Sequence, residues 1–151
     1  MTDAISKDPQ SVAERSAAAM FDGDRASQAL GMRIVAIAPH ECRVTMTVRP
    51  DMVNGVGTCH GGILFALADS AFAFACNSEG ATTVAASATV DFVSVARVGD
   101  ELTASARAIW RGRRAGLYDV TVVDQRGTLV ATFRGRSHRL SDRDPRARES
   151  S

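Results

Sequence analysis

Along the chain the spacing of apolar positions changes three times, and each change marks an element. In "SVAERSAAAMFDGDRASQALGM" the residues Val12, Ala19, Met20, Phe21, Ala26 and Leu30 recur at roughly helical spacing. The pattern predicts one or two short helices, broken at "FDGD" and stopped at Gly31. Beyond Gly31 the period drops to two. In "ECRVTMTVRP" Arg43, Thr45 and Thr47 alternate with Val44, Met46 and Val48. With "MRIVAIAP" before it and Pro39-His40-Glu41 as the turn, this predicts a hairpin of two half-buried strands. "DMVNGVGTCH" then gathers Asn54, Gly55 and Gly57, and predicts a loop.

The run opened by Gly61 and Gly62 and closed by Cys76 is of another kind. It has no β-branched residue after Ile63 and is rich in Ala, Leu and Phe, so length and composition predict a helix. Apolar residues lie on all its faces, which predicts burial all round. "NSEG" ends it. From Thr82 the chain returns to strands: "TTVAASATVDFVSVA", "DELTASARAIWR", "LYDVTVVDQ" and "TLVATFRGRSHRL", separated by "RVGD", "GRRAG" and "RGT". The order predicts an α+β fold in which a strongly bent antiparallel sheet wraps one central helix. Residues 1–30 form a helical segment, 31–140 a single domain, and the charged, anchor-free residues 141–151 a tail expected to be disordered. Such a sheet has edges to protect, and dimerisation edge to edge is one way.

Composition narrows the function classes. The 151 residues fit one domain with a real core. Eighteen Lys and Arg against seventeen Asp and Glu leave a formal charge of +1, which argues against broad nucleic-acid binding. The longest apolar run is too short and too interrupted to span a bilayer. Three cysteines, Cys42, Cys59 and Cys76, with no C-x-x-C spacing and no apolar leader in the opening residues, are expected to be reduced thiols of a cytoplasmic protein. "GVGTCHG" is off by one from a dinucleotide fingerprint and lacks its βαβ setting. P-loop and G-x-S-x-G motifs are absent. His40, His60 and His138 have no metal-ligand spacing, so no metal or other cofactor is expected. Cys59 beside His60 suggests a thiol nucleophile only weakly, because adjacent side chains rarely aim at one atom.

Asp69 raises the sharpest question, since an unpartnered carboxylate is costly to bury in an apolar helix. Either it caps a loop or pairs with an arginine, or it is a base or nucleophile in a half-dry pocket. Two neighbours bear on the choice, Asn54 and His60, both just before the helix. At the helix start Gly61 and Gly62 offer free N–H groups, a partial positive charge and close backbone approach, or simply permit a tight entry. Gly61 and Asp69 are eight residues apart, so at ~1.5 Å rise they lie roughly 12 Å apart along the axis. One carbonyl carbon cannot meet both. If they cooperate, Asp69 comes from a second subunit with an antiparallel helix, and a two-fold dimer supplies that geometry twice. Asp91 reads as an outward-facing or arginine-paired residue. The arginines of "WRGRR" (Arg111, Arg113, Arg114) and "FRGRSHR" (Arg134, Arg136, Arg139) either converge on a phosphate-bearing ligand or line a solvated strand face.

Taken together, "NGVGTCHGGILFALADSAFAFACNSEG", "ASATVDFVSVARVGDELTASA" and "GLYDVTVVDQRGTLVATFRGRSHR" resemble the hotdog-fold acyl-CoA thioesterases of the phenylacetate-degradation type, over roughly Ala29 to Leu140. The resemblance implies a thioester hydrolase acting on phenylacetyl-CoA or hydroxyphenylacetyl-CoA, with coenzyme A as part of the substrate. It implies that Asp69 is the catalytic base or nucleophile and that the Gly61 N–H binds the thioester carbonyl oxygen. Asn54 would then orient water or thioester, and His60 would support the loop. Gly62 and Phe72 would border the substrate, the acyl pocket gathering Asn54, Phe65, Phe72 and Phe74, and Arg111, Arg113 or Arg114 would meet the coenzyme A phosphates. It implies a homodimer with shared sites, two dimers forming a tetramer. The chain departs from the family after "DF", where Ser94 and Val95 replace the usual Arg-Pro. Two rivals stand beside this reading: a hotdog hydratase or dehydratase using His60 with Asp69, and a non-catalytic acyl-CoA-binding module.

Overall fold

The computed structural model describes residues 6–141. Helix α1 (Pro9–Gly23) begins where the Asp8 carboxylate accepts the Ser11 N–H. It ends at Asp24, whose own N–H closes on the Phe21 carbonyl while its side chain opens the short α2 (Arg25–Ala29). The "FDGD" break is thus one residue serving as the end of one helix and the start of the next. Gly31 takes a left-handed φ of 71°, which stops α2.

The hairpin forms as the period-two pattern requires: β1 (Arg33–Ala38) pairs antiparallel with β2 (Glu41–Thr47) around a turn in which His40 has φ 65°. A single 3-10 turn, Pro50–Met52, interrupts the segment leading to the loop. Helix α3 (Gly61–Cys76) follows, then β3 (Thr83–Phe92), β4 (Glu101–Arg111), β5 (Ala115–Val123) and β6 (Leu129–Arg139). The strand order is β1-β2-β4-β5-β6-β3, so β3 pairs with β6 at the far edge and not with its sequence neighbour β4. That crossover lets the sheet curl around α3, which touches all six strands.

Packing follows from side-chain size. Ala68, Ala71 and Ala75 are fully buried and let the helix lie close to the sheet. Phe72 fills the space they leave, meeting Tyr118 and Phe133 at centroid distances of 5.5 and 5.7 Å. Opposite it, β6 must be bare: a Cβ on Gly135 would sit 2.8 Å from the Phe72 ring.

Two expectations need correction. The strand read from Thr82 to Ala96 stops at Phe92, because Val93 and Ser94 donate to the Val130 carbonyl and the Ser94 hydroxyl to that of Leu129, turning the chain off the sheet edge. The central helix is not buried all round either. Gly62 is exposed and Ala66, Asp69 and Ala73 are half-buried, one stripe at helical spacing. A sheet embraces only part of a cylinder, and α1 covers another part through Phe21 on Phe74, 6.2 Å apart. Of the tail, residues 142–151 lie outside the described residues. Among the described residues no helix is long and apolar enough to cross a membrane.

Candidate active site

The entry to α3 is built by side chains that hold backbone. Asn54 anchors the preceding loop: its Oδ1 accepts the Val56 and Thr58 N–H groups at 3.0 and 3.1 Å, and its Nδ2 donates to the Thr58 hydroxyl. One Nδ2 proton is left without a partner among the described residues. His60 is the N-cap, its Nδ1 accepting the Gly62 N–H at 2.9 Å. A Cβ on Gly62 would come within 3.1 Å of that nitrogen, which explains the glycine.

With Gly62 so engaged, the first turn keeps one free donor. Ile63 and Leu64 donate to the His60 carbonyl, while the Gly61 N–H has no acceptor among the described residues. The Cα of Gly61 faces the Phe92 ring, whose Cζ lies 3.0 Å from where a Cβ would be. Phe92 is 55% exposed and forms an apolar wall beside the free N–H. Sequence reasoning missed it, since the contact spans the crossover that sends β3 to the far edge.

Asp69 lies farther along the same helix. Its carboxylate accepts no hydrogen bond and joins no ion pair among the described residues, which removes both the loop-cap and the arginine-pair readings within one chain. Burial, and after it the charge of Asp24, push its pKa above the ordinary aspartate value. His60 is nine residues away, roughly 13 Å of helix, so the two cannot act on one proton within a chain.

The remaining candidates sort by position. Phe72 is 1% exposed and belongs to the core under α3. Phe65 packs edge-on against Phe133 at 5.4 Å. The Cys59 thiol turns to the His60 carbonyl and burial raises its pKa; Cys42 and Cys76 are pushed up to about 12, chiefly by burial. All three thiols are buried and free, and none is activated. Among the described residues no three metal-ligating side chains converge.

Arg111, Arg113 and Arg114 do converge, around a polar cleft of ≈ 300 Å³ that Arg139 and Glu79 also line. Arg111 is held by Glu79 at 2.7 Å, and the His40 Nε2 meets the same oxygen at 3.4 Å. Arg134 stays out, paired with Asp119 on the outer face. This cleft sits at the Cys76 end of α3, some fifteen residues or ~22 Å from Gly61. A free N–H, an unpaired carboxylate and a basic cleft are therefore strung along one helix, and the first two are spaced too far apart for one carbonyl carbon to meet both in a single chain.

A family model described as "Thioesterase superfamily" matches residues 56–131. The acyl-coenzyme A thioesterase PaaI of Escherichia coli is 46% identical over 126 residues, covering 83% of this chain and 90% of its own. The solved structure of the Escherichia coli PaaI protein, from the phenylacetic acid degradation operon, superposes with a TM-score of 0.85, covering 86% of this chain and 94% of that one. A variant of the phenylacetic acid degradation protein PaaI from Thermus thermophilus superposes at 0.75 with 42% identity, covering 78% of this chain and all of that one. With its curved sheet around a single helix and its free N–H at the helix start, the chain belongs to the thioesterase superfamily and has the hotdog fold.

Proposed function

We propose that the chain is an acyl-CoA thioesterase for phenylacetyl-CoA or hydroxyphenylacetyl-CoA, working in the cytoplasm as a homodimer whose sites each use two chains. The observation that carries this is the pairing of a free Gly61 N–H with an unpartnered Asp69 ~12 Å along the same helix. Two antiparallel copies of α3 bring Gly61 of one beside Asp69 of the other. The half-buried stripe of Gly62, Ala66 and Ala73 is small enough for a close helix approach, and β3 has an unpaired edge with residues 85–89 exposed on both faces. Two such dimers associate into a tetramer on this reading.

The chemistry follows from the parts. The Gly61 N–H, with the helix dipole behind it, polarises the thioester carbonyl and holds the oxyanion that forms. The partner chain's Asp69 takes the proton of an attacking water, or itself attacks the carbonyl. Collapse of the tetrahedral species expels the coenzyme A thiolate, which is then protonated; it leaves the free acid where water attacked, and where Asp69 attacked it leaves a mixed anhydride that a water molecule then hydrolyses to the free acid and Asp69. The leftover Asn54 Nδ2 proton orients water or thioester. A thioester is electrophilic enough for this without a cofactor. In the antiparallel pair the partner's Cys76 end extends ~10 Å past Gly61, so its Arg111, Arg113 and Arg114 reach the phosphates of the coenzyme A arm.

The test is coenzyme A release from a panel of arylacetyl and straight-chain thioesters, followed by loss of the thioester absorbance. Arylacetyl groups are expected to be released fastest. Asp69→Asn should lower kcat at least about 100-fold. Addition to the acyl chain with coenzyme A still attached would favour a hydratase, and binding without turnover a non-catalytic module.

A further inference from the structure

Asp69 has an unexplained neighbour. Asp24, between α1 and α2, is tied into a short chain of hydrogen bonds that ends beside the candidate base. Its Oδ1 accepts the Ser27 N–H at 2.9 Å, and its Oδ2 accepts the Ser27 hydroxyl at 2.6 Å. The Ser27 hydroxyl oxygen lies 2.9 Å from that of Ser70, the residue after Asp69. Ser27 is only 2% exposed although α2 is a single short helix near the start of the chain. Because Ser27 donates its proton to the carboxylate, the Ser70 hydroxyl must donate to Ser27, and the relay has one direction.

A serine-to-serine link is an unusual way to dock a helix that could have packed on apolar surface. α1 does so with Phe21 on Phe74. The link has two effects. It fixes α2 against α3 at Ser70, and it brings a second carboxylate toward Asp69 with its own oxygens already occupied. Asp24 is an N-cap that an asparagine would satisfy equally well, so capping alone does not require the charge.

We propose that Asp24 is a positioning residue for the thioester chemistry: through Ser27 it clamps the N-terminal helices onto Ser70, the residue next to Asp69, and brings a second carboxylate to that side of α3. This rests on the reading of Asp69 as the base. A base works best when its proton affinity approaches the working pH, and a like charge nearby raises that affinity. Burial and the charge of Asp24 do so in that order. Other titratable groups near α3 do not supply the effect. The core packed against it is uncharged, with Cys42, Cys59, Cys76 and Tyr118 as its titratable members, and burial raises the pKa of each.

The sign is definite. Asp69 is active ionised, so activity falls as pH drops through its pKa, and a raised pKa sets that fall at a higher pH. Asp24→Asn keeps the backbone cap and removes the charge, while its amide nitrogen donates to the Ser27 hydroxyl, which then donates to Ser70. Carbon-13 NMR titration of the Asp69 carboxyl in the substrate-free protein should then move to lower pH. The acid limb of kcat should move with it, with KM unchanged. Asp24→Glu should restore the wild-type titration, and Ser70→Ala, which cuts the link but leaves both charges, should give part of the shift. Coincident titrations of wild type and Asp24→Asn would overturn the proposal. So would a shift that Asp24→Glu fails to restore, which would indicate a structural role alone. The NMR readout needs no turnover, so a protein that releases no coenzyme A would sink the thioesterase reading and still report on Asp24.

Discussion

Gly61 is where residue chemistry can be isolated most cleanly. It is the first residue of α3, where proline is tolerated because no helical partner awaits its N–H. His60 before it has φ −62° and ψ 134°, a conformation a following proline allows. Gly61→Pro therefore deletes one donor and leaves the helix, provided the ring has room, which Phe92→Ala supplies. Relative to Phe92→Ala alone, the double variant should lose about 10²–10³-fold in kcat with unchanged circular dichroism. An equal rate would remove the Gly61 N–H from oxyanion binding. Asp69 and Gly61 stood out in the sequence because each breaks a local rule, a charge in an apolar run and glycines at a helix start. Phe92 and Asp24 break none. A phenylalanine in a strand and an aspartate before a helix are ordinary, and only contacts across the fold give them a role.

At the scale of elements, the helix and strands depend on a few tight crossings. Gly135 in β6 passes Phe72 of α3 with no space for a side chain, its Cβ position lying 2.8 Å from one ring and 2.9 Å from that of Phe133. Gly135→Ala should cost about 1–3 kcal/mol, measured by urea unfolding, since neither ring can yield within the packed core. Wild-type stability would show that the rings shift freely. The elements themselves were legible: period two for the hairpin and late strands, Ala and Phe content for α3. The end of β3 was not, because the alternation continues past Phe92 while the bonds from Val93 and Ser94 to β6 turn the chain away. The stripe left half-open on α3 was illegible for a similar reason, since composition reports how apolar a helix is and not how far a sheet can reach around it.

On the scale of the whole molecule, the unpaired edge of β3 is the feature that most needs a partner. Its central residues are exposed on both faces, and Phe92, Val93 and Val95 beyond them are exposed as well. Ala88→Lys adds a charge on that strand without disturbing the core. If each site uses two chains, it should yield a monomer in sedimentation, with coenzyme A release reduced at least about 100-fold. A dimer that persists would put the interface elsewhere. Mixing Asp69→Asn chains with Asn54→Ala chains should restore part of the activity, since one site of a mixed dimer is intact. By itself the sequence determined the elements, their order and the wrapped helix, because periodicity and a fixed rise per residue are local properties. Only the tertiary structure decided the strand order, the gathering of Arg111, Arg113, Arg114 and Arg139 into one cleft, the wall of Phe92 and the link from Asp24 through Ser27 to Ser70. Those depend on which distant segments share a neighbourhood, and that is set by how the sheet closes, not by any spacing along the chain.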